Sequence, residues 1–426
     1  MSKVATLFQD LGAPATLAAK AAEGYAPHTR SPVNAHIHLP PNFSAFETVA
    51  QAVGLTAEQG VGVLGVSNYY DYSVYNAFSA LAAEHGVFPL FGLEIIALIE
   101  DLVRAGVKLN DPGNPGKMYI CGKGITRFAP MSPQAAELLE VIRDKDSERM
   151  ARMTIRLAEV FAAAGLESGL DAAAVKARVV QRHGVPLETV YLQERHVAQA
   201  FQEALFERVP AEGRAAFLAR LFGTASKAAP EDAVGVQNEL RSHLMKAGKS
   251  AYVEETFVGF DHAYRLILAL GGIPCYPTLA DGGNAICPFE APVEKLIAEI
   301  KGRGIYSAEF IPIRNTPEVL GEYVHAMRAA GLIVTAGTEH NTRDLLPIAP
   351  TCVHSQPIPD DLQEIFWEGA CVLAAHQYMT LQGQPGFVDG EGKPNPAYSS
   401  DEARIAAFRS LGAAVIRQYQ DNHPRH

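Results

Sequence analysis

A chain of 426 residues, 48% hydrophobic and 19% charged, can bury a large core and has the balance of a globular protein, which excludes a disordered scaffold. Its formal charge of −11 provides no broad basic surface, which excludes general nucleic-acid coating but not a small anionic substrate held by local arginines. Five scattered cysteines with no Cys-x-x-Cys pair, and no apolar run of signal or membrane length, predict a reduced, cytoplasmic protein without a membrane partner.

Residues 33–39 alternate as a strand does, and 46–58 follow with helical spacing. Residues 61–67 form a short apolar run suited to a buried parallel strand, 72–85 read as a helix, and 87–93 as a second buried strand ending at Glu94. Residues 117–125 give a fourth strand and its exit. From about 134 to 249 the pattern is mainly helical, with apolar residues at helical spacings that packing explains. The strand–helix rhythm returns after Phe257, with strands at 273–276, near Glu309 and at 332–336. Helices at 361–378 and 401–418 flank a Gly/Pro-rich loop. This order predicts an α/β fold, a distorted β/α (TIM-like) barrel formed by 30–130 and 257–345. Residues 131–256 then form a helical insertion or cap, and 346–426 a C-terminal extension packed on the barrel. Homo-oligomerisation through the insertion or the C-terminal helices stays open.

In such a barrel the strand C-termini converge on one face, where polar side chains collect. His36 and His38, two apart on one strand, point to the same side and are good ligands for a divalent ion. Glu94 at a second strand exit supplies the negative charge such an ion needs. Glu339 is the preferred late ligand, and His340 is either a further ligand or an acid/base, since adjacent side chains converge only on a turn. Asp71 fits either helix capping or proton transfer. His196 shares a helical face with Leu192 and Ala200 and fits either packing or a role at the site. Arg127, Arg195, Arg314 and Arg343 could each recognise phosphate or carboxylate, with Arg343 best placed after the Glu339 turn.

These residues resemble the PHP family, named for polymerase and histidinol phosphatase domains. The opening His-x-His is matched by His36 and His38, and Gly-x-Glu by Gly92, Leu93 and Glu94. The segment from Glu194 to Ala198 is similar to an Arg-x-His-Ile-Ala element without its intervening residue. A glycine pair with its proline is echoed from Gly271 to Pro277, and the final Gly-Ser-Asp-x-His by Gly337 to Asn341. The resemblance implies a distorted seven-stranded barrel binding one to three divalent metals. The ligand set departs from the family: Ser67, Asn68 and Tyr69 stand for Thr-Asp-His, Tyr276 for a ligand histidine, Glu339 for aspartate and Asn341 for histidine.

The expected site therefore has His36, His38, Glu94, Glu339 and His196 as ligands for one or two ions of zinc, manganese or iron. His340, His196 and Asp71 are its proton-transfer candidates. Arg343, Asn341, Tyr69, Tyr276 and Asn68 are its substrate contacts. The leading expectation is metal-dependent hydrolysis of a small anionic substrate, with phosphoesters ahead of other bonds. Two alternatives stay open: metal-dependent C–N or C–C chemistry on a carboxylated molecule, and a barrel that binds a metabolite or protein without turnover.

Overall fold

A computed structural model describes residues 3–111, 113–283 and 285–425. The strands are β1 (Val33–Ile37), β2 (Val63–Asn68), β3 (Phe88–Leu98), β4 (Lys117–Lys123), β5 (Val258–Gly259), β6 (Ile273–Thr278), β7 (Ser307–Phe310) and β8 (Ile333–Ala336). The main path runs β1-β2-β3-β4-β6-β7-β8, with the two-residue β5 paired to the end of β3. Parallel pairs dominate, but β4 runs antiparallel to both β3 and β6. The sheet closes almost completely where Ile37 bridges Glu339 just after β8 and His38 N–H donates to the Glu339 carbonyl. The result is a nearly closed seven-stranded α/β barrel of distorted TIM type.

The β/α rhythm read from the sequence is present, with two differences in the sheet. Antiparallel β4 is not a crossover strand, and β3 runs on to Leu98 instead of ending at Glu94. The extra residues form the ladder with β4, where Glu94 faces Cys121. The apolar run from Phe88 to Leu98 is long enough for both partners, and Glu94 interrupts it as the one charged residue.

Close approach closes the barrel. A Cβ on Gly337 would come within 2.4 Å of the His36 Cβ, so β1 and the β8 exit can meet only with glycine there. Next, Glu339 and His340 adopt φ of 59° and 50°, a left-handed pair that costs a non-glycine residue roughly 1–2 kcal/mol each. That turn sends their two side chains in different directions.

Between β4 and β5 lies a helical layer containing helices Pro133–Ala163, Ala172–His183, Glu194–Arg208, Ala211–Phe222 and Ala233–Leu240. It carries a hydrophobic cluster of its own, built on residues such as Phe161, Phe201, Phe217 and Leu240. The barrel core is a separate cluster that also takes in helices Asp360–Leu381 and Asp401–Asn422. Gly412 sits so close to the Cys371 carbonyl that no side chain fits between these two helices. Among the described residues, no helix is long and apolar enough to cross a membrane.

Candidate metal centre

The β1 alternation turns His36 and His38 to the same side, toward Glu94 of β3. His36 Nε2 lies 3.4 Å and His38 Nε2 3.3 Å from Glu94 Oε2. All three residues are at most 4% exposed, and among the described residues none of these three atoms has a hydrogen-bond partner. An unsatisfied buried polar atom costs about 1–3 kcal/mol, and three that converge on one point would be a large penalty without a shared partner. Imidazole nitrogens and a carboxylate oxygen form a donor set that suits a divalent cation. The residues present therefore fit a metal ion.

Behind this trio stands a buried relay. His36 Nδ1 meets Glu309 Oε1 at 2.6 Å, and Lys123 Nζ lies 2.5 Å from Glu309 Oε2. Lys123 also donates to the Ala35 carbonyl and Ser67 Oγ. With Nδ1–H given to Glu309, the lone pair of neutral His36 sits on Nε2 and points at Glu94, the arrangement by which carboxylates orient ligating histidines. Burial alone would depress His36, but the Glu309 charge lifts it to about 9, so the neutral form that ligates is reached only when an ion displaces the proton on Nε2. Burial would likewise raise Glu94 and Glu309. The neighbouring histidines hold Glu94 below the usual carboxylate range, and Lys123 with His36 does the same for Glu309.

A second group that could hold an ion comprises His36, Cys121 and Glu309. The Lys123 ammonium is already bound to its carboxylate, and burial keeps the Cys121 thiol well above its ordinary range. A cation of the protein's own thus stands in that second position.

Glu339 faces the same cavity but is gripped by Arg314, with 2.9 Å between Nη1 and Oε1 and 2.5 Å between Nη2 and Oε2. Asn341 Nδ2 donates to the same carboxylate. Burial would raise Glu339, but Arg314 holds it down and ionised. Tyr69 stacks on His38 with ring centroids 5.4 Å apart and lines the cavity.

The remaining sequence-derived residues lie elsewhere. His340 uses both ring nitrogens, Nδ1 with Thr338 Oγ1 at 2.6 Å and Nε2 with the Leu346 carbonyl at 2.9 Å, and stacks on Phe46. His196 caps its own helix by accepting the Gln193 N–H, with its ring edge on Phe43; burial pushes it down to about 3. Asp71 accepts from the Ser73 N–H and pairs with Arg143. Asn68 straps the loop after β1, bonding both the N–H and carbonyl of Leu39. The Tyr276 hydroxyl donates to Glu290 inside the barrel wall. Arg343 pairs with the exposed Glu47, at 3.7 Å.

Sequence reasoning gave no role to Glu309 or Lys123. The signal available was a glutamate inside the buried strand Ser307–Phe310 and a lysine at each end of the mostly buried strand Lys117–Lys123.

His38 and Glu94 of the trio line a cavity of about 380 Å³ between the barrel mouth and the helical layer. His38, Glu94, Tyr69, Glu339 and Arg314 come from the barrel, and Asp146, Arg149, Glu194, Arg195, Arg241 and Lys246 from the helices. Burial lifts Asp146 to about 6, against the pull of its hydrogen bond from Tyr70.

No protein-family model and no curated protein matches the chain. Its fold is similar to that of a Bifidobacterium adolescentis protein provisionally described as a metal-dependent phosphoesterase, with TM-score 0.53 and 16% identity over 80% of this chain and 96% of that one. A Chromobacterium violaceum structure described as an amidohydrolase with bound sulfate and no metal has TM-score 0.49 and 18% identity over 78% and 96%. At these identities the likeness is one of fold.

Proposed function

We propose that the chain is a metal-dependent hydrolase acting on a small anionic substrate, a phosphoester before other bonds, and a divergent relative of the PHP family. The observation that carries this reading is the trio of buried atoms on His36, His38 and Glu94, without hydrogen-bond partners among the described residues, beside a half-open cavity. The phosphoesterase description of a structure with the same fold supports it.

In this reading His36, His38 and Glu94 hold one ion, zinc, manganese or iron, which when bound supplies Lewis acidity and lowers the pKa of a water molecule. Glu309 fixes the tautomer of His36, and Lys123 balances the Glu309 charge while filling the position a second ion would need. Glu339, kept ionised by Arg314 on both oxygens, holds that guanidinium at the cavity wall. His340, His196 and Asp71 are committed to partners away from the cavity and take no proton in this reading. Residues 131–256 serve as a cap over the mouth, excluding water from the substrate. Five free cysteines accord with a cytoplasmic setting.

Purified protein loaded with zinc or manganese, assayed against a panel of phosphate monoesters, should release inorganic phosphate. Turnover of amides or carboxylated substrates alone would favour C–N chemistry instead, and no turnover of any class would favour a binding barrel.

A further inference from the structure

No sequence-derived candidate is free to protonate a leaving group, because His340, His196 and Asp71 are bonded to partners of their own. The carboxylates that line the cavity are nearly all matched as well. Glu339 has Arg314, Asp111 has Lys117 at 3.2 Å, and Glu194 has Arg149 at 2.9 Å and Lys246 at 2.7 Å. Glu94 belongs to the metal trio. Asp146, on the helix Pro133–Ala163, is the exception. It is 7% exposed, and its partner is a phenol: the Tyr70 hydroxyl donates to Oδ2 at 2.8 Å. Oδ1 is buried and has no hydrogen-bond partner among the described residues.

That asymmetry decides which oxygen carries a proton. Burial pushes the Tyr70 phenol well above its ordinary range, so it keeps its hydrogen and gives it to Oδ2. A proton on the carboxyl therefore occupies Oδ1, where it is a buried O–H donor without an acceptor. Such a donor costs about 1–3 kcal/mol unless a partner arrives to accept from it. Burial favours the protonated state, holding Asp146 at about 6 against the Tyr70 hydrogen bond and the charges of Arg149 and Lys117, with Glu255 adding to the rise. Two ring contacts tie this carboxyl to the metal centre. Tyr70 packs on Tyr69 with centroids 5.7 Å apart, and Tyr69 stacks on His38 at 5.4 Å. Asp146 and two members of the trio, His38 and Glu94, line one space.

We propose that Asp146, positioned by Tyr70, is the general acid of this site and gives the Oδ1 proton to the leaving oxygen of the substrate. The role rests on the hydrolase reading and narrows its substrate class. A leaving group served by a built-in acid is the conjugate base of a weakly acidic alcohol, not an anion already stable in water. The oxygen of a water molecule bonds to phosphorus as the ester P–O bond breaks, and the bridging oxygen takes the Oδ1 proton and departs as an alcohol. Asp146 is left as a carboxylate, and the proton shed by the water returns through solvent to restore it.

The test compares metal-loaded wild type and Asp146→Asn on phenyl phosphate and p-nitrophenyl phosphate from pH 5 to 9. Phenolate needs a proton to leave and p-nitrophenolate does not, so kcat should fall at least ~100-fold on the first and less than ~5-fold on the second. Wild-type kcat on phenyl phosphate should decline as pH rises through about 6, and that limb should be gone in the variant. A second readout needs neither metal nor turnover: the infrared difference between metal-free wild type and Asp146→Asn should contain a protonated-carboxyl band that titrates near the same pH. Equal losses on both esters, or no such band, would overturn the acid role and leave the hydrolase reading standing. A wild type inert on both esters and on the wider monoester panel would take down both.

Discussion

The cavity has two charge-dense walls built on opposite rules. On the barrel wall, the atoms of His36, His38 and Glu94 converge without a hydrogen-bond partner among the described residues. On the helical wall, Arg149, Arg241 and Lys246 are each matched to Glu194, and Lys117 at the start of β4 meets them through Glu255, which it shares with Arg149. Charge density therefore does not by itself mark a site. A matched network is spent on holding the helices over the barrel, whereas unmatched atoms in a dry place call for a missing partner.

Perturbing the two walls should give different kinds of effect. The largest belongs to the barrel wall: His36→Ala/His38→Ala should reduce bound metal, read by elemental analysis, from one ion per chain to less than about a tenth. Retained occupancy would break the contrast. On the helical wall, Glu194→Gln should leave metal content unchanged but cost about 1–3 kcal/mol in denaturant unfolding, because Arg241 loses its carboxylate, Arg149 keeps only Glu255, and Lys246 is half exposed.

Asp146 sharpens the comparison, since it sits on the helical wall yet keeps one oxygen unpartnered. Its folded value of about 6 lies above its ordinary 3.8. Between these values the folded chain binds more proton than the unfolded one, so its contribution to stability falls as pH rises through that window. Asp146→Asn should remove this slope, gaining on wild type by up to about 3 kcal/mol between pH 4 and 7. No change in the difference between the two proteins would show that Asp146 titrates normally. The smallest effect is expected behind the metal trio: Glu309→Gln should weaken metal binding roughly 10–100-fold without abolishing it, measured by competition with a chelator.

Much of the fold was legible because its signals are local. The apolar runs that became β2 and β3, and the turn glycines between helix and strand, announce themselves within ten residues. Antiparallel β4 was not legible, since direction in a sheet is fixed by partners distant in the chain. The same divide runs through the site. His36 and His38 are two residues apart, so strand alternation alone aims them together. Glu309 lies 273 residues from His36, and only barrel closure brings its carboxylate to Nδ1. The left-handed turn at Glu339 and His340 explains why neighbours in sequence part company, one facing the cavity and the other bonded to Thr338 and Leu346. Arg343 looked well placed by sequence order, but the loop after the turn carries it to the surface, and Arg314 from the β7 exit takes the position beside Glu339.

The most direct test of the central claim is anomalous diffraction from crystals grown with manganese or zinc. The expected result is one ion per chain, bonded to His36 Nε2, His38 Nε2 and Glu94, with Lys123 still on Glu309. An ion bound elsewhere, or none at that trio under saturating metal, would contradict it.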